Sequence, residues 1–241
     1  MLTKLFYTLR NWRSKALFQS LRNHCCGDVL DVGGWNFYET AILQNISFLT
    51  WTVVEPSLDK IFPSEDKRIN LVQGDGCSLA MPDNHYDTFV SIQVLEHVFE
   101  PNRMFSEMVR VLKPGGKGII MVPQTSNLHM APNHHYNFTR YWCEEAARRE
   151  GVQILELQAM GGFWSSIASR LFLFFFQSFN CRGMTHSDSS RSIIFYLFLP
   201  LMILFACLAL PICLLFSLGD LVEEPNNHLL VVLKSVTNHS L

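Results

Sequence analysis

The chain has 241 residues, which suffices for one α/β domain with an appendage or for one large domain. Its net charge is −2 without a long basic run, so the composition excludes a nucleic-acid-binding surface. Apolar residues make up 49% of the chain and charged residues 17%, and the apolar excess is concentrated between residues 164 and 218. The seven cysteines form no CxxC pair, which argues against a disulfide framework and predicts a reducing compartment.

The first segment, residues 1–24, is basic and carries apolar residues at roughly helical spacing. It lacks the unbroken apolar core of a secretory signal. Two interpretations remain open. The helix packs on the domain, or its apolar face and its basic residues bind an anionic membrane surface.

The segments that follow alternate between short apolar strands and amphipathic helices. A helix is predicted from Pro101 to a proline–glycine–glycine turn at Pro114, and another over Phe138–Glu150, with Thr139 as its cap. This alternation predicts a doubly wound, mostly parallel sheet that binds ligands at the carboxyl ends of its strands. The predicted strands are Asp28–Gly34, Phe48–Glu55, Asn70–Asp75, Asp87–Ile92, Gly118–Val122, Val152–Leu157 and His228–Lys234.

Two phrases stand out, VLEHV at Val94–Val98 and RVLKPGG at Arg110–Gly116. Together they resemble class I S-adenosylmethionine (SAM)-dependent methyltransferases of the type 11 kind. The resemblance covers residues 27 to about 163 and resumes at 228–234. It implies a Rossmann-like methyltransferase fold with a seven-stranded sheet, whose last strand lies antiparallel beside the fifth. It also implies SAM as cofactor and an amino-terminal helix that covers the ligand site.

Glu55 ends the second strand about 20 residues after the glycine turn, where a carboxylate accepts hydrogen bonds from both ribose hydroxyls. An acid there would repel the 2′-phosphate of NADP. The alternative is an exposed acid before Pro56. Trp35 and Phe37 occupy the next two glycine positions of the family turn, and they would crowd the pocket unless the loop takes another path. The remaining cofactor contacts that the resemblance implies are Asp31, Gly33, Gly34, Asp75, Gly76, Cys77 and Gln93.

Two histidines are candidates for the chemistry. Transfer to a hydroxyl requires a base near the ends of the fourth and fifth strands, and His97 and His129 are expected there. His129 is a base or an acceptor anchor, whereas His97 has the alternative role of anchoring a loop-to-helix junction. The loop around His129, residues 123–141, resembles that of bacterial methyltransferases encoded with cell-envelope polysaccharide genes. No metal site is predicted, because the loop histidines lack helical spacing and a nearby carboxylate.

The apolar insert contains a run from Ile193 to Leu218 without a charge, longer than the roughly 20 residues that span a bilayer. Pro200 and Pro211 are expected to kink or break a helix there. A shorter apolar run, Ser165–Phe179, precedes it. Because the chain must return to the sheet for its last strand, the sequence predicts a monotopic helical hairpin that contacts the membrane through residues 164–218. The alternative is a helical cap packed on the domain or in a dimer.

These features predict four segments: an amphipathic helix (1–24), a SAM-binding core (25–163), an apolar hairpin (164–220), and the final strand with its tail (221–241). The predicted function is O-methylation of a lipid-linked glycan or lipid-like acceptor at the cytoplasmic face of a membrane, such as the bacterial inner membrane. Two alternatives remain open. One is a catalytically inactive membrane scaffold. The other is a dehydrogenase, which the two phrases disfavour.

Overall fold

The computed structural model describes residues 14–59, 64–130, 132–179 and 191–236. Within these residues, one seven-stranded sheet has the order β3–β2–β1–β4–β5–β7–β6. Strands β1 to β5 are parallel, and β7 is antiparallel to both β5 and β6. This arrangement confirms the predicted fold. The strands are β1 (Asp28–Val32), β2 (Thr50–Glu55), β3 (Ile69–Gln73), β4 (Tyr86–Ile92), β5 (Leu112–Pro123), β6 (Gln153–Met160) and β7 (Asn227–Leu233).

Helices cover both faces of the sheet. Strand β7 shows the alternation, because Leu230 and Val232 contact the layer of α3 and α4 while Leu229 and Val231 contact the layer of α1 and α2. A strand that is covered on both faces needs apolar side chains on both sides, and the Leu229–Leu233 run of β7 meets this requirement. The helices are α1 (Lys15–His24), α2 (Phe37–Leu43), α3 (Pro101–Val111), α4 (Arg140–Arg149), α5 (Phe163–Ser178) and α6 (Ile193–Phe216).

Strand β5 begins at Leu112, earlier than predicted, and includes the proline–glycine–glycine segment. The Gly115 N–H donates to the Lys234 carbonyl over 2.8 Å, and the Lys234 N–H donates to the Gly116 carbonyl over 3.0 Å. The segment joins the strand because it pairs with the chain just beyond β7, while Gly115 keeps a left-handed conformation with φ +81°. This long-range pairing is not visible in the local sequence, which predicts only a turn.

Helix α1 packs on the sheet through Leu17 and Leu21, which are buried. Its carboxyl end is held by Glu156 of β6, whose carboxylate lies 2.7 Å from His24 Nε2 and accepts a 2.6 Å hydrogen bond from the Ser20 hydroxyl. Residues 1–13 of the predicted helix lie outside the described residues, so membrane contact there stays a prediction. Helix α4 begins at Arg140 instead of Phe138, and Thr139 precedes it without a side-chain capping hydrogen bond.

Helices α5 and α6 pack against each other between β6 and β7, so the chain leaves the sheet and returns to it. Asp220 joins both ends of this hairpin, because its carboxylate accepts hydrogen bonds from the N–H groups of Trp164 (2.7 Å) and Ser165 (2.9 Å). Burial acts to raise the pKa of Asp220, but these hydrogen bonds outweigh it and the pKa lies below its ordinary value.

The expectation was that Pro200 and Pro211 would kink or break the helix, and α6 runs through both without a break. A proline removes one backbone hydrogen bond from the helix, and the turns on either side remain paired. At 1.5 Å per residue, α6 is about 36 Å long and α5 about 24 Å. Among the described residues, Ile193–Gly219 is a helix long and apolar enough to cross a membrane, and only 6% of its apolar stretch is buried.

Candidate active site

The carboxyl ends of β1 to β4 lie side by side at one edge of the sheet. Val32 pairs with Val54, and Glu55 at the end of β2 pairs with Gln73 at the end of β3. The predicted cofactor residues stand at or just after these strand ends, so the fold brings them to one edge. Ligands of open α/β sheets bind at this edge. The residues concerned are Gly33, Gly34, Glu55, Asp75, Gly76, Cys77 and Gln93.

The turn after β1 needs its glycines for steric reasons. Gly33 has φ +81°, and a Cβ there would overlap the Val94 side chain. A Cβ on Gly34 would overlap the carboxylate of Asp31, and a Cβ on Gly76 would lie 2.9 Å from Val32. Glycine is therefore required at these positions by close packing within the protein. A glycine turn beside the strand-end carboxylates Glu55 and Asp75 fits the edge at which an adenosyl cofactor would bind.

Trp35 and Phe37 follow the glycines of this turn and take different directions. Trp35 takes the left-handed conformation that a glycine would adopt, with φ +47°, and half of its surface is exposed. Its N–H donates a 2.8 Å hydrogen bond to Glu55 Oε1. Phe37 opens helix α2 and packs toward Trp51, with 6.3 Å between the ring centroids. Phe37 is therefore partly buried against the core, whereas the effect of Trp35 on the cofactor pocket stays a prediction.

Two carboxyls lie under and beside this turn. Glu55 is buried, which raises its pKa, while the hydrogen bond from Trp35 acts in the opposite direction. Asp31 is completely buried, and burial raises its pKa to about 8 although the Trp51 indole donates a 3.0 Å hydrogen bond to Oδ2. Asp31 Oδ1 has no hydrogen-bond partner among the described residues. The Asp31 carboxylate thus packs against the turn at Gly34. Direct contact between Asp31 and a cofactor stays a prediction.

Asp75 and Gln93 complete the predicted cofactor edge. The Cys77 N–H donates to Asp75 Oδ1 over 2.8 Å, which orients this exposed carboxylate on the loop after β3. Gln93 has φ +58°, and its side-chain amide donates to Asn227 Oδ1 of β7 over 3.0 Å. Gln93 thereby connects the end of β4 to the inserted strand, an interaction that the sequence does not predict.

The structure brings the two predicted catalytic histidines together. The ring centroids of His97 and His129 are 4.7 Å apart, and the ring of His134 lies 4.5 Å from that of His129. Glu96 is completely buried beside them, with its Oε1 3.8 Å from His97 Nε2. Glu96 is not among the site residues that the sequence predicts. The signal that could have found it is its position immediately before His97.

Burial also sets the protonation of this cluster. It raises the pKa of Glu96 to about 7. Burial lowers the pKa of His97 and of His134, and the neighbouring histidines add to the effect. His97 and His134 therefore favour the neutral imidazole, and they lie beside a carboxyl group that ionises less readily than usual.

The loop that carries His129 contacts the root of the hairpin. The backbone carbonyl of Asn127 lies 2.9 Å from His129 Nδ1. The side-chain oxygen of Asn127 accepts a hydrogen bond from Arg170 of α5 over 3.3 Å. The hydroxyls of Thr125 and Ser166 are 2.8 Å apart. Between the two helices lies an open apolar groove of about 510 Å³, lined by Leu171, Phe174, Leu201, Met202, Phe205 and Ala206.

Comparison with known proteins agrees with this geometry. Residues 30–120 match the family described as "Methyltransferase domain". A Mycolicibacterium smegmatis protein named "Probable S-adenosylmethionine-dependent methyltransferase" is 25% identical over 149 residues, which cover 60% of this chain and 56% of the relative. The 2-methyl-6-phytyl-1,4-hydroquinone methyltransferase of Arabidopsis thaliana is 29% identical over 116 residues, or 46% of this chain and 34% of the relative. The chain thus spans about half or less of these relatives.

Among solved structures, phosphoethanolamine N-methyltransferase 2 of Haemonchus contortus in complex with SAM superposes with a TM-score of 0.57. The superposition covers 93% of this chain and 53% of that protein at 17% identity, so it shows a shared fold. The comparisons do not favour an inactive scaffold, and they support SAM as the cofactor. The domain match, the relatives and the fold together support a class I SAM-dependent methyltransferase.

Proposed function

We propose that this chain transfers the methyl group of SAM to an oxygen of a lipid-linked glycan or lipid-like acceptor at a membrane surface. One observation carries the proposal. The glycine turn and Glu55 share the carboxyl edge of the sheet with the His97–His129 pair, and Asn127 links that pair to the apolar hairpin. Cofactor edge, candidate base and apolar surface are therefore contiguous.

In this proposal Glu55 binds the ribose hydroxyls. One of its oxygens already orients the Trp35 backbone, and a carboxylate has enough lone pairs to accept further hydrogen bonds. Asp75 binds the adenine amino group, while Gly33, Gly34 and Gly76 admit the cofactor to the backbone. SAM supplies a sulfonium methyl with a good leaving group, so the protein has mainly to position the acceptor and remove its proton.

His129 is suited to take that proton. Its Nδ1 faces the Asn127 carbonyl, which accepts a hydrogen bond and therefore favours the proton on Nδ1. The lone pair of Nε2 is then available to a hydroxyl acceptor. His97 stands next to it, so the two rings line one side of the acceptor position.

The hairpin supports the lipid-like acceptor. Helix α6 exposes many large apolar side chains, and Leu197 and Leu201 are 72% and 62% exposed. Soluble proteins rarely expose so large a contiguous apolar patch unless it binds a partner or a membrane. One relative is named for a phytyl-substituted hydroquinone, which is an acceptor with an apolar chain. A hairpin embedded in the cytoplasmic leaflet would hold the active-site edge where such an acceptor is presented.

Cofactor binding is tested by calorimetry with SAM and S-adenosylhomocysteine on the full chain in detergent. Glu55→Ala is expected to weaken both affinities by about 10-fold or more, because charge-assisted hydrogen bonds contribute about 1.5–3 kcal/mol each. Glu65→Ala, at an exposed carboxylate before β3, serves as the matched control and should bind normally. No binding by the unmodified chain would favour the inactive scaffold instead.

Membrane association is tested by flotation with liposomes that contain anionic lipid. The double variant Leu197→Ser, Leu201→Ser should float less well than the unmodified chain. The control is the double variant Leu43→Ser, Leu49→Ser. These two leucines are about as exposed as Leu197 and Leu201 but lie outside the hairpin, so this variant should float normally. Equal flotation of both variants would refute a membrane role for α6.

The acceptor class is tested with SAM labelled in its methyl group and a bacterial membrane fraction. Label is expected in the lipids that organic solvent extracts, and mild acid should release it with the glycan. Label confined to water-soluble products would contradict a lipid-linked acceptor, even if the cofactor binds.

A further inference from the structure

The carboxylate of Glu96 is an exception to the usual pairing of buried polar groups. It is 0% exposed, and neither Oε1 nor Oε2 has a hydrogen-bond partner among the described residues. Burying an unpaired carboxylate is costly, and an unsatisfied group of this kind requires a specific explanation such as a bound ion. The backbone carbonyl of Glu96 is satisfied by the N–H of His135 over 2.8 Å, so only the side chain lacks partners.

The two neighbouring histidines are oriented like metal ligands. Nδ1 of His97 lies 2.8 Å from the Asn133 carbonyl, and Nδ1 of His129 lies 2.9 Å from the Asn127 carbonyl. A carbonyl only accepts, so both Nδ1 atoms carry the proton and both Nε2 atoms present a lone pair. A backbone carbonyl on the opposite ring nitrogen is the usual arrangement around a metal-binding histidine.

From these observations we infer that Glu96, His97 and His129 bind a divalent transition metal. One ligand atom from each residue lies within 4.8 Å of the other two. Two imidazoles and one carboxylate are one of the donor sets of catalytic zinc sites, which keep a fourth position open. The same donors also accept manganese, iron and cobalt, whereas magnesium prefers oxygen ligands.

The spacing indicates how binding would proceed. Ligands at zinc bond lengths near 2.0 Å are about 3.3 Å apart in a tetrahedral site. The 3.8 Å separation between Glu96 Oε1 and His97 Nε2 is slightly wider than this. The three donor atoms lie within 4.8 Å of one another, so side-chain rotations must draw them closer together around the ion.

His134 belongs to the surroundings of the site and is not a ligand. Its Nδ1 accepts a hydrogen bond from the His129 N–H over 3.3 Å, and its Nε2 lies 3.2 Å from the Tyr136 carbonyl. Both ring nitrogens are thus engaged. The loop histidines by themselves predict no metal site. Glu96 and His97 lie just after β4, and only the fold brings them next to His129.

This inference deepens the proposed function, on which its catalytic part rests. A metal at this position would bind the acceptor hydroxyl through its open site and lower the pKa of that hydroxyl. The proton would leave to solvent, the S–CH₃ bond of the sulfonium would break, and the O–CH₃ bond would form as the sulfur becomes a neutral thioether. The Nε2 lone pair of His129 would then bind the metal instead of the proton.

The test is direct metal binding by the full chain in detergent, with any affinity histidines removed. Calorimetry with Zn²⁺ and elemental analysis should give one tight ion per chain, and Co²⁺ should produce the visible absorption of a low-symmetry site. Glu96→Gln and His129→Gln should each weaken Zn²⁺ binding by more than about 10-fold, which is the lower end of the loss caused even by outer-shell changes. His135→Gln, an exposed histidine of the same loop, should leave it unchanged.

Thermal unfolding without metal establishes that each variant is folded, and Glu96→Gln retains the shape of the native side chain. Zn²⁺ affinity that is equal in the unmodified chain and in folded Glu96→Gln would overturn the inference. SAM calorimetry on the same samples separates the two proposals. SAM binding without Zn²⁺ binding refutes only the metal site, and Zn²⁺ binding without SAM binding refutes only the methyltransferase proposal.

Discussion

Asp31 should make the stability of this fold fall as the pH rises. Burial raises its pKa from 3.8 to about 8 in the folded chain, while the carboxyl ionises near 3.8 after unfolding. A raised folded pKa means that the stabilising contribution is complete below the unfolded value and is lost as the pH approaches the folded value. The window therefore runs from about pH 4 to about pH 8.

The size of the effect follows from the same two pKa values. One pKa unit corresponds to about 1.4 kcal/mol of differential interaction. Between about pH 5 and about pH 8 the unfolded carboxyl is ionised while the folded one stays mostly protonated, so the free energy of unfolding should decrease by about 4 kcal/mol. This is a large part of the stability of a typical domain.

The variant Asp31→Asn isolates this contribution. The amide keeps an oxygen to accept the Trp51 indole hydrogen bond and cannot ionise. Urea unfolding at both pH values, followed by tryptophan fluorescence, should show the variant gaining about 4 kcal/mol relative to the unmodified chain at the higher pH. Asp59→Asn, at an exposed position, should change neither curve. A constant difference between Asp31→Asn and the unmodified chain would refute the reasoning.

Three further substitutions test other parts of the structure. Gly118→Ala should destabilise the fold by about 1–3 kcal/mol in urea unfolding, because its Cβ would overlap the Phe89 ring; a neutral result would contradict the close packing of β4 and β5. Asp220→Ala removes the acceptor at the start of α5 and should cost about 1 kcal/mol, with faster proteolysis of the hairpin than of the core; equal protection would argue against the link. Trp35→Gly suits the left-handed φ and should leave SAM affinity within about 2-fold, whereas a large loss would indicate that the indole contacts the cofactor.

The sequence alone determined the sheet and its active edge. Strands that are covered on both faces must be rich in apolar residues, and turns must contain residues that the turn geometry accepts, so both leave local signals. Glu55 at the end of β2 and the glycines after β1 were predictable for this reason. The apolar insert was equally clear, because a bilayer-length run without charge needs no knowledge of the fold.

Only the tertiary structure decided which polar groups meet. Glu96 and His97 follow β4, whereas His129 follows β5, and the parallel pairing of those strands places the three side chains together. No local pattern encodes such a contact, since it depends on the strand register and on the path of the loop after β5. The route of Trp35 and Phe37 likewise follows from the Trp35–Glu55 hydrogen bond and from packing on Trp51, both of which join residues distant in the chain.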